Sequence, residues 1–217
     1  MPVPEDMQRT GVDAGVLHLP DLQAGIEKAL EAFNYPKAAV ARIAGSDVYF
    51  APEVYGRLNS DPPAMKAVLD AALAQPGVAG IYRADELADR PATENPIKAA
   101  FADSYFPGRS GDLLIVPRPY WLMDGTPSGQ ARRYGTGHGT PYNYDQHVPI
   151  LLMGWGIRHG EYFREVTPAD IAPTLAALCG IALAPRDGHV LHEAIETGRE
   201  TKPGPAPRRA ASHTGNR

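Results

Sequence analysis

Residues 134–145 read Tyr-Gly-Thr-Gly-His-Gly-Thr-Pro-Tyr-Asn-Tyr-Asp, and an uncharged, mostly apolar run follows at 148–153. Glycines on both sides of His138 let the backbone approach a ligand closely, and they let the imidazole point out of a loop beside the end of a strand. This placement suits a metal ligand. The commoner situation for a lone loop histidine is a hydrogen bond to a nearby carbonyl, and it stands as the alternative.

On both sides of this loop the sequence alternates between helical and extended patterns. Apolar residues at helical spacing predict an amphipathic helix over 20–33, and the apolar residues within 112–116 predict a strand that is buried on both faces. Further helices are predicted at 61–74, 96–102 and 167–180, and further strands at 37–43, 47–50, 78–82, 148–153 and 162–166. Residues 117–139 are rich in Gly and Pro and are predicted to form a loop.

The alternation of strands and helices predicts an α/β sandwich with a largely parallel sheet. Residues 1–196 are expected to form one domain, and the polar, Pro-rich residues 197–217 are expected to be a disordered tail. Cys179 lies in an apolar run, where a thiol usually behaves as a small buried hydrophobe.

Composition narrows the range of partners. The chain has 217 residues, of which 43% are hydrophobic, and a formal net charge of -4. Without a global positive field, neither nucleic acid nor an anionic membrane surface is an expected partner. The sequence shows neither a basic, apolar leader at its start nor an apolar run of about 18 residues, so the chain as written is expected to be soluble and not exported.

Three segments, taken in order, resemble the alkaline phosphatase superfamily, particularly its phosphatase and nucleotide pyrophosphatase/phosphodiesterase branch. His138-Gly139-Thr140-Pro141, Asp145 and the run from Val148 resemble the last metal-ligand motif of that superfamily. Residues 106–112 are similar to the strand before this motif, residues 170–181 to the helix after it, and Asp187-Gly188 to its closing turn.

The resemblance implies the carboxy-terminal part of an alkaline-phosphatase-like α/β sandwich, which is therefore incomplete. It implies a metal-dependent hydrolase that acts on small-molecule phosphate esters with two zinc ions, one of them bound by His138. Members of the family are commonly periplasmic or secreted, so the compartment of this chain stays open.

Most of the family's active site has no match here. The family uses an upstream Asp, a Thr or Ser nucleophile, an Asp-x-x-x-His pair and an adjacent Asp-His pair, and neither His pattern occurs in this sequence. Thr93 and Ser110 are loop hydroxyls with no base nearby in sequence, so no catalytic residue is assigned. One histidine cannot hold two metals, and we expect the chain to be truncated and inactive alone.

Two other functions are compatible with the sequence: a non-catalytic binding or scaffold domain, and one half of a split enzyme. An isolated half would expose strand edges and apolar faces, so we expect self-association or a partner that supplies the missing half. Asp145 either caps a turn or orients His138. His189 and His192 are spaced to share a helical face as ligands, with surface histidines as the alternative.

Overall fold

The structure is a computed structural model that describes residues 1–89, 93–185 and 187–196. Contacts between Cα atoms divide the chain into two compact units, Met1–Val148 and Pro149–Arg217. The predicted tail at 197–217 lies outside the described residues.

The first unit contains seven α-helices and six strands within its described residues. The helices are α1 (Pro4–Arg9), α2 (Leu19–Leu30), α3 (Val54–Asn59), α4 (Pro62–Leu73), α5 (Ala84–Leu87), α6 (Pro96–Ser104) and α7 (Asn143–Gln146). The strands are β1 (Gly15–His18), β2 (Val40–Ala44), β3 (Asp47–Phe50), β4 (Val78–Arg83), β5 (Leu113–Pro117) and β6 (Trp121–Asp124). None of the helices in the described parts of the chain is long and apolar enough to cross a membrane.

The strands form two sheets, and the predicted α/β architecture is confirmed. The larger sheet has the order β2-β3-β5-β4, and all of its neighbours are antiparallel. Parallel pairing is confined to β1 and β6, with Gly15 opposite Trp121 and His18 opposite Asp124. The sheet structure is thus mixed rather than largely parallel. For β2 and β3, the short turn between them allows only an antiparallel hairpin.

Strand β5 is the centre of the first unit, and all five of its residues are buried, as its unbroken apolar sequence predicts. Leu113 and Ile115 join the core cluster that contains α2 and α4 residues such as Ile26 and Val68. Leu114 and Val116 join a second cluster with Leu87 of α5 and Phe101 of α6. Alternate residues of a strand point to opposite faces, so helices cover the sheet on both sides.

Two of the predicted helices, α4 and α6, begin at side chains that cap them. The Asp61 carboxylate accepts a hydrogen bond from the Ala64 N–H at the start of α4, at 3.2 Å. Asn95 accepts from the N–H groups of Ile97 and Lys98 at the start of α6. These side chains satisfy donors that the first helical turn leaves without an intrahelical partner.

The predicted strands at 148–153 and 162–166 are absent from the described residues. Leu151 and Met153 are 88% and 98% exposed, and Phe163 is 95% exposed. An apolar run becomes a strand only beside another strand, and the described residues offer none here. Cys179 is exposed, so the prediction of a buried thiol is also wrong.

The second unit contains α8 (Ile171–Leu178), which follows a 3₁₀ turn at Pro168–Asp170. A capping box begins this turn: the Asp170 carboxylate accepts from the Thr167 N–H at 2.8 Å, and it also accepts from the His189 N–H at 2.7 Å. These two N–H groups, that of His189 first, hold the pKa of Asp170 below its ordinary value.

A buried hydroxyl continues this network. Thr174 Oγ1 donates to the Asp170 carbonyl at 2.7 Å and accepts from the Leu191 N–H at 2.9 Å, and Thr174 is fully buried. The hydroxyl therefore satisfies a buried amide of the segment that closes over α8.

Replacing this hydroxyl tests its contribution. Thr174→Val keeps the side-chain shape but leaves the Leu191 N–H without an acceptor. We expect the free energy of unfolding to fall by about 1–3 kcal/mol, with faster amide exchange at Leu191, measured by urea denaturation and hydrogen exchange. The control Thr10→Val removes an exposed hydroxyl and should change stability by less than about 0.5 kcal/mol. Unchanged exchange at Leu191 would contradict this role.

Candidate functional site

The candidate site is the histidine loop, residues 136–145, which follows β6 and includes the first three residues of α7. His138 is exposed at its centre. Gly139 has a φ of +96°, a conformation that residues with a side chain rarely adopt, and a Cβ at Gly137 would lie 2.8 Å from Leu122 Cδ1. The flanking glycines therefore let the loop turn and lie close against β6.

Asp145 anchors the loop from within. Its Oδ2 accepts the N–H of Thr140 at 3.0 Å and the hydroxyl of Thr140 at 2.8 Å. Its Oδ1 lies 2.9 Å from the Met1 α-ammonium, which also donates to the Gly137 carbonyl at 2.6 Å. Only 3% of the Asp145 side chain is exposed. Asp145 thus caps the turn of the loop, which is the first of its two predicted roles.

The charge state of Asp145 follows from these contacts. Burial by itself raises the pKa of the carboxyl, but hydrogen bonds from the Met1 ammonium and from Thr140 outweigh it and lower the pKa below its ordinary value. Hydrogen bonds of this kind favour the ionised form of a carboxyl. Asp145 is therefore a buried carboxylate.

Tyrosines attach the loop and α7 to the end of β5. The Tyr142 hydroxyl donates to the Pro117 carbonyl at 2.7 Å, and the Tyr144 hydroxyl accepts from the Tyr120 N–H at 2.9 Å. The rings of Tyr120 and Tyr144 stack with their centroids 4.9 Å apart. These tyrosines pack and anchor, which is the commoner of the two roles that aromatic residues at a strand end can take.

The donor groups around His138 do not complete a metal site. Zinc normally takes three or four protein ligands. No group of three or more His, Cys, Asp or Glu side chains lies close enough to hold a metal within residues 1–89, 93–185 and 187–196. His138 is available as a single ligand, and the described residues do not fit the two-zinc centre of the family.

The other candidate residues have structural roles. Ser110 Oγ accepts from the Phe106 N–H at 3.0 Å, and Thr93 Oγ1 accepts from the Asn95 N–H at 3.1 Å just before α6. His189 lies before the 3₁₀ turn that His192 begins, so the two do not share a helical face. All four lie apart from the histidine loop in sequence.

One histidine at a strand end was not predicted as a candidate. His18 ends β1, where its Nδ1 lies 2.7 Å from the Thr126 carbonyl. A carbonyl can only accept, so Nδ1 is the donor of this hydrogen bond. Asp124, its partner on β6, is buried and accepts the Thr126 N–H at 2.6 Å. The sequence lacked a strand signal at Gly15–His18, so nothing marked this position.

A cleft of 310 Å³ lies beside the histidine loop. Its walls are the β2–β3 turn with Asp47, helix α6 with Phe101 and Ser104, and loop residues Gly139 and Thr140. Asp47 is its only charged lining group among the described residues, and Asp47 Oδ1 already accepts the Gly111 N–H at 2.6 Å. Without a cationic side chain, the cleft is unsuited to a phosphate group.

Sequence comparison finds alkaline phosphatases among the proteins that are similar to this chain. No protein-family profile matches the chain. Alkaline phosphatase PafA of Elizabethkingia meningoseptica is 36% identical over 107 residues, which are 49% of this chain and 18% of PafA. Alkaline phosphatase PhoV of Synechococcus elongatus is 36% identical over 104 residues, which are 47% of this chain and 18% of PhoV. The chain therefore matches about a fifth of the length of these relatives.

The structural comparison extends further along the chain. The crystal structure of wild-type alkaline phosphatase PafA superposes with a TM-score of 0.69 and 26% sequence identity. The superposition covers 89% of this chain and 36% of the PafA chain. In sequence over about half of the chain, and in fold over most of it, this chain is similar to proteins of the alkaline phosphatase superfamily.

Proposed function

We propose that this chain contributes one metal ligand, His138, to a zinc-dependent hydrolase of small-molecule phosphate esters. The observation that carries the proposal is the exposed imidazole of His138 on a loop held by a buried carboxylate. The relatives of the chain are alkaline phosphatases, which supports phosphate esters as the substrate class.

The chain's own residues prepare this imidazole for a metal. Asp145 and the tyrosine hydroxyls hold the loop at several points, so little conformational freedom remains to be lost when a ligand binds. Zinc would supply Lewis-acid stabilisation of the phosphoryl charge. The nucleophile and the other ligands have no counterpart in the described residues, so catalysis needs groups beyond these.

A second function is favoured by one observation. Within the parts of the chain that the structure describes, His138 belongs to no group of three or more His, Cys, Asp or Glu side chains that could hold a metal ion. A non-catalytic binding or scaffold domain that kept the fold would show the same arrangement. Zinc uptake distinguishes the two, because only the first function needs His138 to bind metal.

Zinc binding is the direct test of the His138 assignment. We expect weak, substoichiometric zinc uptake by the chain, because one imidazole supplies a third or less of a zinc site. His138→Ala should remove most of it, and His159→Ala, which removes another exposed histidine, should leave it unchanged, as measured by isothermal titration calorimetry. Tight stoichiometric uptake that is indifferent to His138→Ala would refute the assignment.

Hydrolysis by the chain alone is a separate question. With zinc present, we expect the chain to hydrolyse p-nitrophenyl phosphate no faster than the His138→Ala variant, because the described residues hold no second ligand group and no activated nucleophile. The release of p-nitrophenol measures this. Turnover that His138→Ala abolishes would show instead that the chain carries a complete site.

The role of Asp145 predicts a specific pH dependence. Its pKa is lower in the folded chain, so its contribution to stability is present above the unfolded value near ~3.9 and is lost as pH falls through the folded pKa. Asp145→Asn should cost roughly 3 kcal/mol at pH 7, the loss of one partner of a buried ion pair. The difference from wild type should shrink below about pH 4.

Urea unfolding at pH 7 and at pH 3 measures this difference. The control is Asp6→Asn, because Asp6 pairs with Arg9 on the surface with 62% of its side chain exposed. That variant should differ little from wild type at either pH, since exposed ion pairs contribute little. An Asp145→Asn difference that is equal at both pH values would contradict the proposed anchor.

A further inference from the structure

The cleft beside the histidine loop has the size of a site for one small molecule. Its volume is 310 Å³, which is room for about ten water molecules at the ~30 Å³ that each occupies in the liquid. A monosaccharide is of this size, whereas an oligosaccharide or a peptide is larger. All of the lining residues lie between positions 46 and 146, so the first unit alone forms the cleft.

Two lining side chains keep hydrogen-bond donors for a ligand. Ser110 Oγ accepts from the Phe106 N–H at 3.0 Å, and that bond leaves its own O–H to donate elsewhere. The Gln146 side chain is exposed, and no hydrogen bond joins its amide to another residue in the described parts of the chain. A side-chain amide carries two N–H donors and one carbonyl acceptor.

Two lining hydroxyls keep acceptor capacity. Ser104 Oγ donates to the Ala100 carbonyl at 2.9 Å, and Thr140 Oγ1 donates to Asp145 Oδ2 at 2.8 Å. A hydroxyl that has donated its only hydrogen still has lone pairs that can accept. The cleft therefore both donates and accepts, which suits a ligand that is rich in hydroxyl groups.

The charge of the lining argues against an ionic ligand. Asp47 Oδ1 accepts the Gly111 N–H at 2.6 Å, and its Oδ2 accepts the Ser46 hydroxyl at 3.3 Å. These bonds use two of the roughly four acceptor positions of a carboxylate. An anion would meet this carboxylate, and an organic cation could not accept from the donors of Ser110 and Gln146. A neutral hydroxyl can do both.

Apolar side chains complete the lining. Phe101 and Leu114 are only 7% and 3% exposed, so the core holds them in place beneath the cleft, and Pro141 adds a third apolar group. A monosaccharide carries C–H groups on the faces of its ring and hydroxyl groups around the edge. A lining that combines apolar side chains with a few donors and acceptors is complementary to both.

The cleft and the histidine loop share residues. Gly139 and Thr140 line the cleft and directly follow His138 in the chain. Resting on the proposed function, we propose that the cleft binds the alcohol part of the phosphate ester, and that this alcohol is a monosaccharide. The phosphate group lies outside the cleft, because no lining side chain among the described residues is cationic.

The test is a titration of the full chain with D-glucose in the absence of zinc, followed by NMR of the backbone amides. We expect saturable shifts at Ser104, Ser110 and Thr140, with a Kd on the order of 1 mM because the ligand is neutral and small. The double variant Ser104→Ala/Gln146→Ala should raise this Kd about tenfold, because two hydrogen bonds to the ligand are lost.

The matched control is Ser60→Ala/Gln130→Ala. Ser60 Oγ donates to the carbonyl four residues earlier, as Ser104 Oγ does. Ser60 and Gln130 are exposed, and neither lines the cleft, so the Kd for D-glucose should not change. Should the double variant unfold, Gln146→Ala alone replaces it, with an expected rise of about threefold.

Three further probes decide between ligand classes. Glucose 6-phosphate should shift the same amides as D-glucose, whereas inorganic phosphate and choline chloride should not. The proposal is overturned by cleft shifts with choline or with inorganic phosphate, by the absence of saturable shifts with D-glucose, or by a Kd that the double variant leaves unchanged. Because D-glucose is titrated without zinc, failure at the cleft is distinct from failure of the His138 metal assignment.

Discussion

The fold of the first unit depends on the burial of β5 between two neighbouring strands and two helical layers. Four of its five buried residues divide by alternation between the two core clusters. A strand buried on both faces cannot shift its register without moving apolar groups, so it fixes the positions of β3, β4 and the helices above and below. This strand also positions the histidine loop, because the Tyr142 hydroxyl donates a hydrogen bond to the Pro117 carbonyl.

The conformation of the histidine loop depends on a buried negative charge. The Asp145 carboxylate is almost completely buried, and its partners are the Met1 ammonium and both donors of Thr140. A buried charge is tolerable only when its hydrogen bonds are complete, so these groups constrain one another. The exposed imidazole of His138 sits in the middle of a segment whose ends are fixed, which is what a metal ligand requires of its surroundings.

Local patterns predicted the longer helices and the strands of the larger sheet, and non-local pairing accounts for the two strands that they missed. Helices α2, α4, α6 and α8 and strands β2 to β5 follow from periodicity and caps. Strands β1 and β6 have four residues each and exist only through pairing across about a hundred residues, for which the sequence holds no local signal. At the site, His138, its glycines and a local role for Asp145 were predicted, whereas the contact of Asp145 with Met1 arises only through tertiary structure.

The chain contains two apolar runs, one buried and one exposed. Their different burial follows from their neighbours in the structure and not from their composition. Residues 113–117 lie between strands and are buried, while residues 148–153 have a similar composition and remain largely exposed. Burying a side chain such as that of Leu151 or Met153 stabilises a fold by roughly 1.5–3 kcal/mol. The described structure does not gain this free energy, because both side chains are exposed.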